Sequence, residues 1–223
     1  MKARRIGIVG GTFNPIHNGH LLLGECAREE YLLDRVIFIP SGISYLKSGQ
    51  TDIPAGEIRY QMVKQAIAGN PYFTCSRVEI DRGGNTYTAD TLEELGRMYP
   101  GDELYFIIGG DSLLSMDTWV RPQDVFDRAV ILAAVRDGFD IEEMERKRKE
   151  LTERFSARIE LLKYARMDIS SSDIRERFRS GRSVRYLLPD SCIEFARLKN
   201  LYTVVSPREA GAIRDEDYDM KIV

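Results

Sequence analysis

A chain of 223 residues that is 43% hydrophobic and 30% charged holds enough apolar material for one packed domain, alone or with a small appendage, and is not generally disordered. Its net charge of −3 argues against a surface built to coat a nucleic-acid backbone, which needs a basic footprint; a small anionic ligand asks only for a locally basic site. No apolar run approaches membrane-spanning length, and the start Met1-Lys2-Ala3-Arg4-Arg5 lacks the pattern of a secretory leader. Cys26, Cys75 and Cys192 are odd in number and widely spaced, so they suggest neither a disulfide framework nor a zinc knuckle. The expectation is a cytoplasmic protein with small-molecule partners and no nucleic-acid or membrane partner; a homo-oligomer is compatible with this reading.

In chain order, Ile6-Gly7-Ile8-Val9 predicts a first strand closed by Gly10-Gly11, and a helical pattern follows over 17–32. Residues 35–39 read as a second strand, 57–68 as a helix, 73–80 as a strand and 89–98 as a helix. Residues 104–108 and 129–135 are two further apolar strands. The charged stretch 140–154 interleaves acids with bases and reads as a solvated helix rather than a basic arm. A last strand over 158–162 leads to Ile169-Ser170-Ser171-Ser172-Asp173-Ile174-Arg175 and two C-terminal helices. Apolar strands separated by helices require a parallel sheet covered on both faces, so the fold class is a doubly wound α/β domain over 1–203. Residues 204–223 are mostly polar, without clear period, and read as an extension.

Ligands in such sheets bind where strand ends meet helix N-termini, and Gly10-Gly11-Thr12-Phe13-Asn14-Pro15-Ile16-His17-Asn18-Gly19-His20 occupies that place. The paired glycines let backbone approach a phosphate. The segment is neither a GxGxxG fingerprint nor a GxxxxGK[ST] loop. His17 and His20 are the chain's two histidines, and their i, i+3 spacing puts both rings on one helix face. A lone histidine is most often a cap or a satisfied core residue; a pair behind a Gly-Gly turn is a better candidate for ligand binding. Zinc is disfavoured because no third ligand lies at the right spacing.

The segment 11–20 resembles the signature of the HxGH nucleotidyltransferases, in which the two histidines bind the triphosphate and the transition state. Asn14 stands where many members have Asp. Ser170 to Arg175 reads locally as a helix cap, but Arg175 near a first turn makes sense beside a bound anion. That segment resembles the family's ISSTxIR motif, with Ser172 in place of Thr.

The resemblance implies a Rossmann-like nucleotidyltransferase fold and an ATP site of Gly10, Gly11, Thr12, Phe13, His17, His20, Lys47, Ser171, Ser172 and Arg175. His17, His20 and Arg175 would be the catalytic donors, and Mg²⁺ would be the cofactor, bridging phosphate oxygens. Lys47 reads locally as a surface lysine, although it resembles a lysine that reaches the triphosphate in relatives.

Segments around Thr86-Tyr87-Thr88, Gly109-Gly110-Asp111 and Trp119 resemble the nicotinate-nucleotide branch of the family. There Thr86, Tyr87, Thr88, Asp111 and Trp119 would hold nicotinic acid mononucleotide, the acceptor of AMP from ATP, giving deamido-NAD and pyrophosphate. Locally, Thr88 also fits an ordinary N-cap and Trp119 ordinary core packing. The competing readings are transfer to another acceptor, such as nicotinamide mononucleotide, and a nucleotide-binding regulator without turnover.

Overall fold

The computed structural model describes residues 3–44, 53–135, 141–163 and 167–203. Its first half runs β1 (Arg5–Gly11), α1 (Asn18–Glu30), β2 (Arg35–Pro40), β3 (Ile43–Ser44), α2 (Gly56–Ile67), β4 (Phe73–Cys75), α3 (Val78–Arg82), β5 (Asn85–Thr86) and α4 (Thr88–Met98). The second half runs β6 (Glu103–Gly109), α5 (Gly110–Ser115), a 3-10 turn (Met116–Thr118), α6 (Pro122–Arg128), β7 (Ala129–Val135), α7 (Ile141–Phe155), β8 (Ile159–Lys163), α8 (Ser171–Arg179) and α9 (Asp190–Leu198). The main sheet has the order β4-β2-β1-β6-β7-β8 with every neighbouring pair parallel. This is the doubly wound arrangement expected from the alternating strands and helices. The short strands β3 and β5 pair separately.

Because strand side chains alternate, successive residues feed two cores. Ile6, Ile8, Phe106 and Ile108 pack with Leu92, Leu113 and Met144 from α4, α5 and α7. Val9, Phe38, Ile107 and Leu132 pack on the other face with Ala27, Met62 and Ile193 from α1, α2 and α9. The solvated reading of 140–154 holds for α7, which buries Met144 and Leu151, two turns apart.

One predicted element is corrected. The strand expected over 73–80 stops at Cys75, and Val78 begins a helical turn instead. In the ladder between β2 and β4, Val36 donates its N–H to the Tyr72 carbonyl and Phe38 accepts from Ser76. Two residues on, the next donor would be Pro40, which has no N–H, so the ladder ends there. The short helices α5 and α6 and the 3-10 turn also escaped the periodicity, being too brief to carry one.

Phe38 is fully buried between the Phe73 ring (5.0 Å between centroids) and the Phe13 ring (6.2 Å), and a Cβ on Gly24 would sit 3.0 Å from its Cζ. Phe38→Ala is expected to lower the free energy of unfolding by about 3–5 kcal/mol through lost burial and an unfilled cavity. Urea titration measures this, and a loss below about 1 kcal/mol would show that the site collapses around the deletion.

Candidate active site

Gly10-Gly11 closes β1 where the strand order reverses between β1 and β6, and the following loop leads into α1. The loop is compact and strained. Phe13 is buried with φ of 47°, a left-handed conformation unusual for a bulky residue, and a Cβ on Gly11 would lie 3.1 Å from its ring. His17 caps α1 with extended backbone, and its N–H donates to Nδ1 of His20 at 3.2 Å. With Nδ1 accepting, the His20 ring carries its N–H on Nε2.

The two imidazoles stack with centroids 3.7 Å apart, and Phe13 meets His20 edge-on at 5.1 Å. A Cβ on Gly19 would lie 3.1 Å from Nδ1 of His17, a tight approach, so glycine directly before His20 lets the His17 ring sit there without shifting. His17 is 7% exposed, and burial pushes its pKa down to about 4. At neutral pH it is therefore an uncharged imidazole.

The second motif folds onto this loop from far along the chain. Ser170 accepts the Asp173 N–H at 3.0 Å, as its helix-cap reading required. Ser171 and Arg175 do something else. Ser171 Oγ donates to the Pro15 carbonyl at 2.8 Å, and Arg175 Nη1 donates to the Asn14 carbonyl at 2.7 Å while Nη2 donates to Ser172 Oγ at 3.3 Å. The start of α8 thus clamps the histidine loop.

A cleft of about 570 Å³ opens at the carboxyl ends of the strands. Gly10, Gly11, His17, His20 and Ser171 line it from β1, α1 and α8; Thr86, Tyr87, Thr88 and Trp119 line it from β5, α4 and the segment after the 3-10 turn. Tyr87, not Thr88, is the N-cap of α4, and it makes no side-chain capping bond. Thr88 is the first helical residue, so it stands where helix N–H groups lack intrahelical acceptors and the dipole is positive. The Trp119 ring packs edge-on against Phe106 at 6.3 Å, in keeping with its core-packing reading, and also lines the cleft.

Thr12, Phe13, Ser172 and Arg175 lie outside the lining and act on it through the loop. Asp111 is exposed in the first turn of α5 and is likewise not on the cleft wall. Lys47 and residues 204–223 fall outside the described residues. Among the described residues, no group of three or more His, Cys, Asp or Glu side chains is arranged to hold a metal ion, and no helix is long and apolar enough to cross a membrane.

The family model described as "Cytidylyltransferase-like" matches residues 8–177, a span that contains both motifs. A protein from Lachnoclostridium phytofermentans named "Probable nicotinate-nucleotide adenylyltransferase" is 48% identical over 188 residues, covering 84% of this chain and 94% of the relative. One of the same name from Desulfitobacterium hafniense is 43% identical over 202 residues, covering 90% and 97%. The chain belongs to the nicotinate-nucleotide adenylyltransferase family.

A solved structure titled as Plasmodium falciparum nicotinic acid mononucleotide adenylyltransferase complexed with NaAD covers 89% of this chain and 97% of its own, with a TM-score of 0.71 at 18% identity. That likeness is one of fold, and it agrees with the doubly wound sheet described above.

Two polar residues of this nicotinate-nucleotide adenylyltransferase family member escaped the sequence reading. Arg59 is 3% exposed on the same stripe of α2 as Met62, Val63 and Ile67, and Glu79 is 7% exposed beside Val78. A charge inside an apolar helical stripe was the signal for Arg59. Glu79 was hidden by the mistaken strand, which masked the helical turn that carries it.

The state of His17 has a measurable consequence. Below the ordinary histidine value of 6.5 the unfolded chain takes up a proton that the folded chain refuses until about pH 4, so His17 makes stability fall with pH across that window. The slope contributed by one such group reaches ~1.4 kcal/mol per pH unit. Urea titrations from pH 7 to 4 are expected to show a steeper loss for the wild type than for His17→Gln; parallel curves would mean that His17 titrates normally in the folded protein.

Proposed function

We propose that the chain transfers AMP from ATP to nicotinic acid mononucleotide, giving deamido-NAD and pyrophosphate. One observation carries the reading beyond the family match. A single cleft is lined both by the His17/His20 loop, suited to a triphosphate, and by the Thr86–Thr88 and Trp119 segments, suited to a pyridine ring bearing a carboxylate.

In the reaction a phosphate oxygen of the mononucleotide attacks the α-phosphorus of ATP. The bond from that phosphorus to the oxygen bridging to the β-phosphorus breaks, and pyrophosphate leaves. The attacking phosphate has a second pKa near ~6 and is largely ionised at neutral pH, so no general base is needed. The protein's work is to hold two anions together and to stabilise charge gathering on the phosphate oxygens.

His17, kept neutral by burial, and His20 suit this role as directional N–H donors set beside the glycine backbone. In this reading Arg175, Thr12, Phe13 and Ser172 work through the loop that Arg175 clamps, and Lys47 is kept as a candidate for contact with the triphosphate. With no acidic cluster among the described residues, magnesium fits as part of the nucleotide substrate, carried on its phosphate oxygens, rather than as a resident ion.

The N-terminus of α4 favours a carboxylate over a neutral amide, because charge-assisted hydrogen bonds are roughly twice as strong and an amide N–H₂ facing a buried donor leaves it unsatisfied. The wild type is expected to prefer the acid over nicotinamide mononucleotide by on the order of a hundredfold or more in kcat/KM. Trp119→Ala should weaken both acceptors while keeping most of that ratio. His20→Ala, folded by circular dichroism, should lose on the order of a hundredfold or more in kcat. Pyrophosphate release with each acceptor measures all three. Equal use of acid and amide would turn the reading toward the amide substrate, and absence of pyrophosphate release would favour a binding protein without turnover.

A further inference from the structure

Beneath the cleft, Arg59 spends its guanidinium on four backbone carbonyls. Nε donates to Pro54 at 2.9 Å, Nη1 to Thr12 at 2.7 Å, and Nη2 to Ser41 at 2.6 Å and to Gly42 at 3.2 Å. Thr12 belongs to the histidine loop, whereas Ser41 and Gly42 follow β2. One planar fork therefore fixes two loops that are distant in sequence.

Gly42 passes the connection on. It lies against Glu79, where its backbone N–H helps to stabilise the carboxylate form, and its packing is tight, since a Cβ there would lie 2.6 Å from the Glu79 carbonyl oxygen and 3.1 Å from Thr86 Oγ1. Glu79 Oε1 accepts from Thr91 Oγ1 at 2.8 Å, and Arg82 Nη2 donates to that hydroxyl at 2.9 Å. Thr91 stands one turn into α4, the helix whose start carries Tyr87 and Thr88 on the cleft wall.

Residue by residue, the contacts run Thr12, Arg59, Gly42, Glu79, Thr91. They are buried or half-buried polar contacts, and Ser41, Glu79 and Thr91 also reach the cleft wall, so the chain of contacts runs along the floor of the site. We propose that Arg59 and Glu79 are positioning residues that couple the nucleotide-binding loop to the acceptor-binding start of α4, so that each substrate tightens the binding of the other. The inference rests on the assignment of the two substrates made above. It adds that the site senses both.

Burial pushes Glu79 up to about 7 against the pull of Thr91, Arg82, Gly42 and Arg59, which is the expected cost of keeping a carboxyl group at this junction. Coupling between two binding sites is reciprocal, so the same factor must appear whichever ligand is added first.

The test uses calorimetry on the full chain with nicotinic acid mononucleotide and an ATP analogue whose α- and β-phosphates are joined by a methylene group. In the wild type each ligand is expected to tighten the other by about fivefold or more. Arg59→Lys keeps the charge but loses the fork, and Glu79→Gln keeps the shape but loses one acceptor. Both should bring the factor close to one, with single-ligand affinities changed much less, and the double variant should lose no more coupling than either single one. Thr91→Val, which deletes only the hydroxyl, replaces either variant that fails to fold by circular dichroism. Independent binding of both ligands to the wild type, or full coupling kept in the folded variants, would overturn the bridge while leaving the proposed reaction standing. Failure of the mononucleotide to bind at all would sink the functional reading together with the bridge.

Discussion

Everything in this molecule is arranged around the point where the sheet changes direction. From β1 the chain first builds outward through β2 to β4, and then returns to add β6, β7 and β8 on the other side. The connections leaving β1 and β6 therefore diverge, and a crevice must remain between them at the carboxyl ends of the strands. Gly10, Gly11 and Gly109 line that crevice, leaving it walled partly by main chain. Side chains bulky enough to stabilise a core would fill the space that a nucleotide needs.

An open crevice needs loops held firmly at its rim, and here that is done by hydrogen bonds to carbonyls. Ser171 and Arg175 bind the Pro15 and Asn14 carbonyls from one side, and Arg59 binds those of Thr12, Ser41 and Gly42 from beneath. Carbonyls in an irregular loop have no ladder to satisfy them, and leaving them buried and unpaired would cost more than the donors do. Guanidinium groups suit this task because one group satisfies several acceptors at once. The same cations place positive charge close to a cleft meant for phosphates, in a chain whose overall charge is negative.

The histidine pair shows how burial changes what a residue type can do. On charge alone, two imidazoles in a cleft proposed to take phosphates suggest cations. Burial keeps His17 neutral, and the bond from its N–H to Nδ1 of His20 decides which nitrogen of the partner carries a proton. What remains is directional hydrogen bonding, which suits charge that grows on particular oxygens during a reaction. Gly19, lacking a side chain where the His17 ring lies, is part of the same device.

The sequence by itself determined the parts whose cause is local or periodic. Continuous apolar runs specified β1, β2, β6 and β7, the interleaved charges specified α7, and the 11–20 and 169–175 motifs marked two segments that the fold brings together. It could not determine that β4 ends at Cys75, because that depends on Pro40 in the neighbouring strand failing to donate. Nor could it assign Arg59 or Glu79, whose partners are backbone groups from other segments and whose burial exists only once α2, α3 and α4 have packed. Arg175 joins both levels: its motif was legible, but its contact with the Asn14 carbonyl, 161 residues away, was not. Periodicity and motif record which face or loop a residue occupies, while hydrogen-bond partners distant in the chain are chosen by the packing that brings those faces and loops together.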